Sequence, residues 1–131
     1  MQRDWDGMMR KEASNFKKFF EGYNVEKVID ASCGSGEQSM ALASLGLEVT
    51  ACDPSAGLVE QTALNAKKYN VQDKLVARQS DFLNLANDFA PETFDAVVTK
   101  GSSLPHLHTN ADLLQACKNF YTILKPGGAN P

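Results

Sequence analysis

Two glycines and one aspartate are the residues whose types and spacing first suggest chemistry. Gly34 and Gly36 lie between an apolar segment, residues 27–31, and a segment rich in Ala, Met and Leu, and Asp53 follows 19 residues after Gly34. Residues without a Cβ let backbone N–H groups approach a ligand closely, and a helix N-terminus behind them favours partly anionic atoms. A carboxylate at the end of the next strand can accept both hydroxyls of a ribose. A glycine pair also ends strands for purely structural reasons, but the pair and the acid together indicate a nucleoside-containing cofactor.

Two other nucleotide motifs do not fit this turn. The nicotinamide-binding fingerprint has a third glycine three residues after the second, and Ser39 stands at that position. The Lys-Ser/Thr pair with which a P-loop holds phosphates is missing as well. The turn is therefore not built for a pyrophosphate. A nicotinamide-dependent oxidoreductase stays an alternative, because it would share the strand, the turn and Asp53.

The pattern of apolar residues predicts the elements that position these side chains. The predicted strands are residues 27–31, 48–53, 75–79 and 94–99. The predicted helices are residues 4–20, 37–45, 55–69 and 109–124. Residues 81–89 form a short helical or irregular stretch, and the Pro-Gly-Gly of residues 126–128 predicts a closing turn.

Strands that alternate with helices predict a three-layer, Rossmann-like α/β fold with a mostly parallel sheet, in the order third, second, first, fourth strand. We expect one domain over residues 1–131, with residues 1–24 as an N-terminal helical lid and residues 25–131 as the core. The ligand belongs at the carboxyl ends of the strands, away from Asp95 at the start of its strand. Because the sequence ends after the fourth strand and its helix, we expect a truncated fold whose fourth strand is an exposed edge.

Composition excludes several classes of protein. The 131 residues, 43% of them hydrophobic, carry a net charge of -3, which is typical of one soluble domain. The basic residues after Val28 are scattered, so nucleic acid is not expected as a partner. No apolar run reaches the length of a membrane span, and the N-terminus lacks the pattern of a signal peptide. The three cysteines, Cys33, Cys52 and Cys117, have no Cys-x-x-Cys spacing, which favours a reducing, cytoplasmic location.

Five motifs occur in the order found in one enzyme family. They are residues 30–36 (DASCGSG), Asp53, Ser80-Asp81-Phe82, residues 94–98 (FDAVV) and residues 124–128 (LKPGG). In this respect the chain resembles the class I S-adenosylmethionine-dependent methyltransferases. The resemblance implies S-adenosylmethionine as cofactor, with Asp53 binding its ribose and Asp81 and Phe82 contacting its adenine. Asp81 could instead cap the helix that follows, and Phe82 could belong to the core.

The segment after the fourth strand, residues 100–107 (KGSSLPHL), narrows the resemblance. Together with Trp5-Asp6 and the N-terminal helix, it is similar to the glycine and glycine/sarcosine N-methyltransferase branch, although Ser102 replaces an Asn and Lys100 an apolar residue. The branch implies methylation of a small amine such as glycine or sarcosine, with His106 and Ser102 as the catalytic residues at the acceptor. The implied cofactor contacts are Arg10, Asp30, Ala31, Ser32, Gly34, Ser35, Gly36, Asp53, Pro54, Leu58, Asp81, Phe82, Lys100 and Gly101.

Structural roles remain open for some of these residues. In the branch, an arginine at about the position of Arg10 pairs with the cofactor's carboxylate, but Arg10 could instead be a solvated charge. Leu58 is either a core residue or packs on the adenine ring. His106 is a candidate general base or a structural loop histidine, and with His108 it offers only two ligands, so no metal is expected. Methyl transfer from a sulfonium is an in-line displacement that needs alignment in a dry pocket more than a base.

The expected partner is a small-molecule acceptor, with neither nucleic acid nor membrane. A homo-oligomer or a further C-terminal portion would cover the edge of the sheet. The non-enzymatic alternative is a non-catalytic or incomplete module that binds S-adenosylmethionine without turning it over.

Overall fold

The computed structural model describes residues 5–99 and 110–129, which form five helices and five strands in alternating order. The helices are α1 (Trp5–Phe19), α2 (Glu37–Ser44), α3 (Ala56–Lys68), α4 (Leu85–Asp88) and α5 (Asn110–Ile123). The strands are β1 (Lys27–Asp30), β2 (Glu48–Asp53), β3 (Leu75–Gln79), β4 (Phe94–Val98) and β5 (Leu124–Ala129). None of these helices is both long enough and apolar enough to cross a membrane.

The strands form one parallel sheet in the order β3-β2-β1-β4-β5. The predicted order of the first four strands is therefore confirmed. β1 is paired with β2 on one side and with β4 on the other, so the chain changes direction across the sheet at β1. Crevices at such switch points, outside the carboxyl ends of the strands, are where open α/β sheets bind ligands.

The prediction of a four-stranded sheet with β4 at its edge is wrong. The last helix ends at Ile123, and the segment expected to form a closing turn extends β5 alongside β4. Pairing is irregular between the pairs Phe94–Leu124 and Ala96–Ala129, because more residues of β5 than of β4 lie between these two points, so β5 bulges there. A Pro-Gly-Gly sequence has a low propensity to form a strand, but an outer strand tolerates the missing N–H of Pro126. Among the described residues, β5 is therefore the outermost strand on this side of the sheet.

Two hydrophobic cores confirm the three layers. Alternate residues of a strand point to opposite faces of a sheet. On one face Val28, Val49 and Val98 pack with residues of α2 and α3 and with Phe20, which follows α1. On the other face the core consists of Ile29, Ala31, Cys52, Leu85, Phe94, Val97, Phe120 and Ile123.

The N-terminal helix packs beside α2. Near its end, Phe16 stacks on Phe20 with ring centroids 6.1 Å apart, and both rings join the core on that face. This contact anchors the C-terminal part of α1 to the domain. The function of residues 1–24 as a lid stays a prediction.

Candidate functional site

The glycine turn and Asp53 meet at the carboxyl ends of β1 and β2. The Gly34 N–H donates to Oδ2 of Asp53 at 3.0 Å, and the Ser55 N–H donates to Oδ1 at the same distance. The side chain is held in a nearly closed environment, since Asp53 is only 8% exposed. The glycine pair and the acid, which the sequence analysis assigned to one ligand, therefore lie side by side.

Backbone hydrogen bonds explain why the chain turns where it does. The Cys33 N–H donates to the Cys52 carbonyl at 2.7 Å, which extends the contact between β1 and β2 beyond the end of β1. The Gly36 N–H then donates to the Cys33 carbonyl at 2.9 Å and closes the turn. Gly34 and Gly36 have φ values of 55° and 98°, which residues with a Cβ rarely adopt. The two glycines are therefore required by the backbone path.

Asp30 lies beneath the turn rather than on its surface. It is fully buried, and its carboxylate accepts the Ser39 hydroxyl at 2.8 Å and the Ser32 N–H at 3.3 Å. Ser39, at the position where a dinucleotide fingerprint has glycine, is thus a buried donor to the first acid of the motif. Ala31 and Ser32 are buried as well. Direct contact of Asp30, Ala31 and Ser32 with a cofactor stays a prediction.

Helix α3 contributes two residues that the sequence analysis did not identify. The Thr62 hydroxyl donates to the Gly34 carbonyl at 2.9 Å, and the Asn65 side-chain amide donates to the Ser35 carbonyl at 3.0 Å. Thr62 is fully buried. The only signal in the sequence is a Thr and an Asn three positions apart on one helix face, which is common on solvated helices too.

The thiols of Cys33 and Cys52, close to the turn, are unreactive at neutral pH. Burial raises the pKa of Cys33 to about 12, against the opposing effect of the Thr62 hydroxyl 3.5 Å from its sulfur. Burial likewise raises the pKa of Cys52 to about 12. Because the thiolate is the reactive form of cysteine, neither residue is available as a nucleophile at neutral pH.

Asp81 and Phe82 have structural partners in this conformation. Oδ1 of Asp81 accepts the N–H groups of Leu83 and Asn84, each at 3.0 Å, and so caps the turn that leads into α4. The Phe82 ring packs edge-on against Phe120, with centroids 5.7 Å apart. These contacts are the structural roles that the sequence left open, and the contact of both residues with adenine stays a prediction.

The remaining predicted contacts divide into exposed residues and residues outside the described part of the chain. Leu58, in the first turn of α3, is 39% exposed and so is not a core residue. Pro54 and Arg10 are exposed too. Four predicted site residues lie outside the described residues: Lys100, Gly101, Ser102 and His106. Within residues 5–99 and 110–129, no cluster of three His, Cys, Asp or Glu side chains could hold a metal ion.

Asp95 lies near the start of β4, at the amino ends of the strands and so opposite the glycine turn, as expected. Its Oδ2 accepts the N–H groups of Glu26 and Lys27, both at 2.9 Å, and its Oδ1 lies 3.3 Å from the ammonium of Lys125. Partial burial opposes ionisation, but these donors and the lysine charge outweigh it and lower the pKa of Asp95. This carboxylate ties β4 to the start of β1, far from the turn.

Comparison with known proteins identifies the family. Residues 28–128 match a family model described as a methyltransferase domain. The chain is 30% identical over 125 residues to a glycine/sarcosine N-methyltransferase of Parasynechococcus marenigrum, and the match covers 95% of the chain and 43% of that protein. It is 29% identical over 134 residues to the glycine N-methyltransferase of Rattus norvegicus, with 93% of the chain and 46% of that protein covered.

The solved structures agree. A Methanococcus maripaludis protein assigned to the S-adenosyl-L-methionine-dependent methyltransferases superposes with a TM-score of 0.80 and 27% identity, over 95% of this chain and 54% of the other. The chain thus spans less than half the length of the two relatives and about half of the solved structure. Because the family model covers most of the chain and the fold is shared, the chain belongs to the S-adenosylmethionine-dependent methyltransferases.

Proposed function

We propose that this chain binds S-adenosylmethionine at the carboxyl ends of β1 and β2 and transfers its methyl group to a small amine such as glycine or sarcosine. The observation that carries the proposal is the contact between the Gly34 N–H and the Asp53 carboxylate. It brings the glycine turn and the acid to the same crevice. The two relatives named for glycine or sarcosine support the choice of acceptor class.

The chemistry of Asp53 fits the ribose of this cofactor. An ionised carboxylate offers about four lone-pair sites. Two backbone N–H groups use one site on each oxygen, so both oxygens keep capacity for a further donor. A vicinal diol supplies two hydroxyl donors with matching spacing. Asp53 would therefore hold the ribose while its own position is fixed by Gly34 and Ser55.

The protein's part in the reaction is alignment. When bound, the cofactor supplies a methyl group on a sulfonium, which is already activated for displacement by an amine nitrogen. The chain's residues hold donor and acceptor in line and keep water out, and such positioning accounts for much of the acceleration of a bimolecular step. We assign the exclusion of water to residues 1–24, acting as a lid.

We assign binding of the methyl acceptor to the segment that follows β4. The Ala31 N–H donates to the Val98 carbonyl at 2.9 Å, so this segment starts next to the glycine turn. We assign Ser102 and His106 to the acceptor, where His106 would receive the proton that the amine loses, and Lys100 and Gly101 to the cofactor. Arg10 would pair with the cofactor's carboxylate, for which a guanidinium offers two parallel donors.

We place the reaction in the cytoplasm. All three cysteines are free thiols, and Cys117 is exposed. An exposed thiol without a partner is typical of a reducing compartment.

The test is an assay for S-adenosylhomocysteine release over a panel of amines, carboxylates and thiols, preceded by calorimetric titrations with S-adenosylmethionine and with NAD. We expect the chain to bind S-adenosylmethionine and not NAD, and to release product with glycine or sarcosine. Release with other acceptors only would move the chain to another methyltransferase branch. Tight binding without any release would favour the cofactor-binding module, and binding of NAD alone would favour an oxidoreductase.

A further inference from the structure

Two side chains of helix α3 hold the glycine turn by donating hydrogen bonds to carbonyl groups of the turn. Thr62 and Asn65 donate to the consecutive carbonyls of Gly34 and Ser35, at 2.9 and 3.0 Å. A Cβ on Gly36 would lie 2.8 Å from Cγ2 of Thr62, so the helix and the turn are in close contact. Thr62 therefore makes both a polar contact, through its hydroxyl, and a packing contact, through its methyl group.

The polar contact determines which way one peptide group faces. In a trans peptide the C=O of one residue and the N–H of the next point in opposite directions. Because the Gly34 carbonyl is bound to α3, the Ser35 N–H points away from α3. In the described part of the chain this N–H has no hydrogen-bond acceptor. It is a donor held ready for a group that the described residues do not supply.

The same helix is linked to Asp53. The Ser55 N–H donates to Oδ1 of Asp53, and the Ser55 hydroxyl accepts the Leu58 N–H at 3.3 Å as the N-cap of α3. Asp53 in turn accepts the Gly34 N–H. A closed path of hydrogen bonds thus runs from the turn through Asp53 to the start of α3, and back to the turn through Thr62. A shift of α3 would move both halves of the site.

We propose that Thr62 and Asn65 are positioning residues that set the affinity for the cofactor: Thr62 orients the Ser35 N–H toward it, and Asn65 holds the next peptide group, between Ser35 and Gly36, in place. This inference rests on the proposed function, because it takes S-adenosylmethionine as the ligand. Neither side chain needs to touch the ligand. The hydroxyl of Thr62 orients the peptide between Gly34 and Ser35, while its methyl group contributes to stability.

The two contacts of Thr62 are separable by mutation. Thr62→Val keeps the methyl packing and removes the donor, whereas Thr62→Ser keeps the donor and removes the methyl. We expect the Kd for S-adenosylmethionine to rise about 10-fold in Thr62→Val, the equivalent of one lost hydrogen bond, and to stay within about twofold in Thr62→Ser. The melting temperature of Thr62→Ser should nevertheless fall, because the methyl contact with Gly36 is lost.

Two further variants complete the test. Asn65→Asp replaces the donor with an acceptor and should also raise the Kd. Thr122→Val removes a bond of the same type and length, from the Thr122 hydroxyl to the Lys118 carbonyl on the exposed side of α5, and should leave the Kd unchanged. Without ligand, the NMR amide resonance of Ser35 should shift in Thr62→Val and Asn65→Asp, but little in Thr62→Ser.

The outcomes separate this inference from the function on which it rests. If the unmodified chain binds and Thr62→Val binds equally well, the inference is wrong and the proposed function stands. If the affinity instead falls in step with the melting temperature, so that Thr62→Ser binds S-adenosylmethionine as weakly as Thr62→Val, the Thr62 contact is purely structural. This result would also overturn the inference. If the unmodified chain does not bind S-adenosylmethionine, the proposed function fails, and the role of Thr62 in affinity fails with it.

Discussion

Replacement of Asp53 by alanine tests the site at its centre. In the free protein the substitution leaves the N–H groups of Gly34 and Ser55 without their acceptor. At about 0.5–1.5 kcal/mol for each of the two lost bonds, the free energy of unfolding should fall by about 1–3 kcal/mol. In the complex the ribose hydroxyls also lose a charged acceptor, a loss of about 1.5–3 kcal/mol. This corresponds to a Kd for S-adenosylmethionine about 10- to 150-fold higher.

Asp95→Ala is the matched control for this experiment. Like Asp53, Asp95 is a carboxylate that accepts two backbone N–H groups, but it lies at the opposite, amino ends of the strands. Both variants lose one negative charge and two backbone hydrogen bonds, so both should be less stable in urea unfolding. Isothermal titration with S-adenosylmethionine should show weaker binding in Asp53→Ala alone.

Two results would refute this reasoning. A Kd for Asp53→Ala within twofold of the unmodified chain would remove Asp53 from the ligand site. Equal weakening in Asp53→Ala and Asp95→Ala would show that lost stability, rather than a lost contact with the ribose, reduces the affinity.

Three further predictions concern stability and reactivity. Because the pKa of Asp95 is lowered on folding, its ionisation stabilises the fold fully above its unfolded pKa of about 4 and no longer does so once the pH falls below the folded pKa; urea unfolding should separate Asp95→Asn from the unmodified chain at pH 6 and bring the two together at strongly acid pH. A maleimide should label only Cys117 in the folded chain, by mass spectrometry, since both other thiols are buried; rapid labelling of a second site without unfolding would contradict the structure. Gly36→Ala should lower the free energy of unfolding by more than Gly46→Ala does. In Gly46→Ala the only cost is the positive φ, ~1–2 kcal/mol, whereas in Gly36→Ala the new Cβ also collides with Thr62. Equal losses in thermal or urea unfolding would show that α3 moves aside to accommodate the added methyl group.

Local patterns predicted most of the elements correctly. The bounds of β2 and β3 coincide with the predicted strands, since short apolar segments between turn residues are local signals. Ser55 caps α3 as its residue type suggests. The closing turn at residues 126–128 was predicted on the same kind of evidence and was wrong. Whether that segment turns or pairs depends on the available edge of β4, which lies far away in sequence.

The sequence by itself determined which residues stand at the carboxyl ends of β1 and β2. A glycine turn after one strand and an acid after the next meet when the two strands are parallel neighbours, so the predicted strand order already brings Gly34 and Asp53 together. Only the tertiary structure decided what supports them. Ser39 reaches Asp30 beneath the turn, and Thr62 reaches the Gly34 carbonyl from another helix. These contacts depend on how α2 and α3 pack against the sheet, and that packing is set by the sum of many weak contacts distant in sequence, which no local pattern of residue types records.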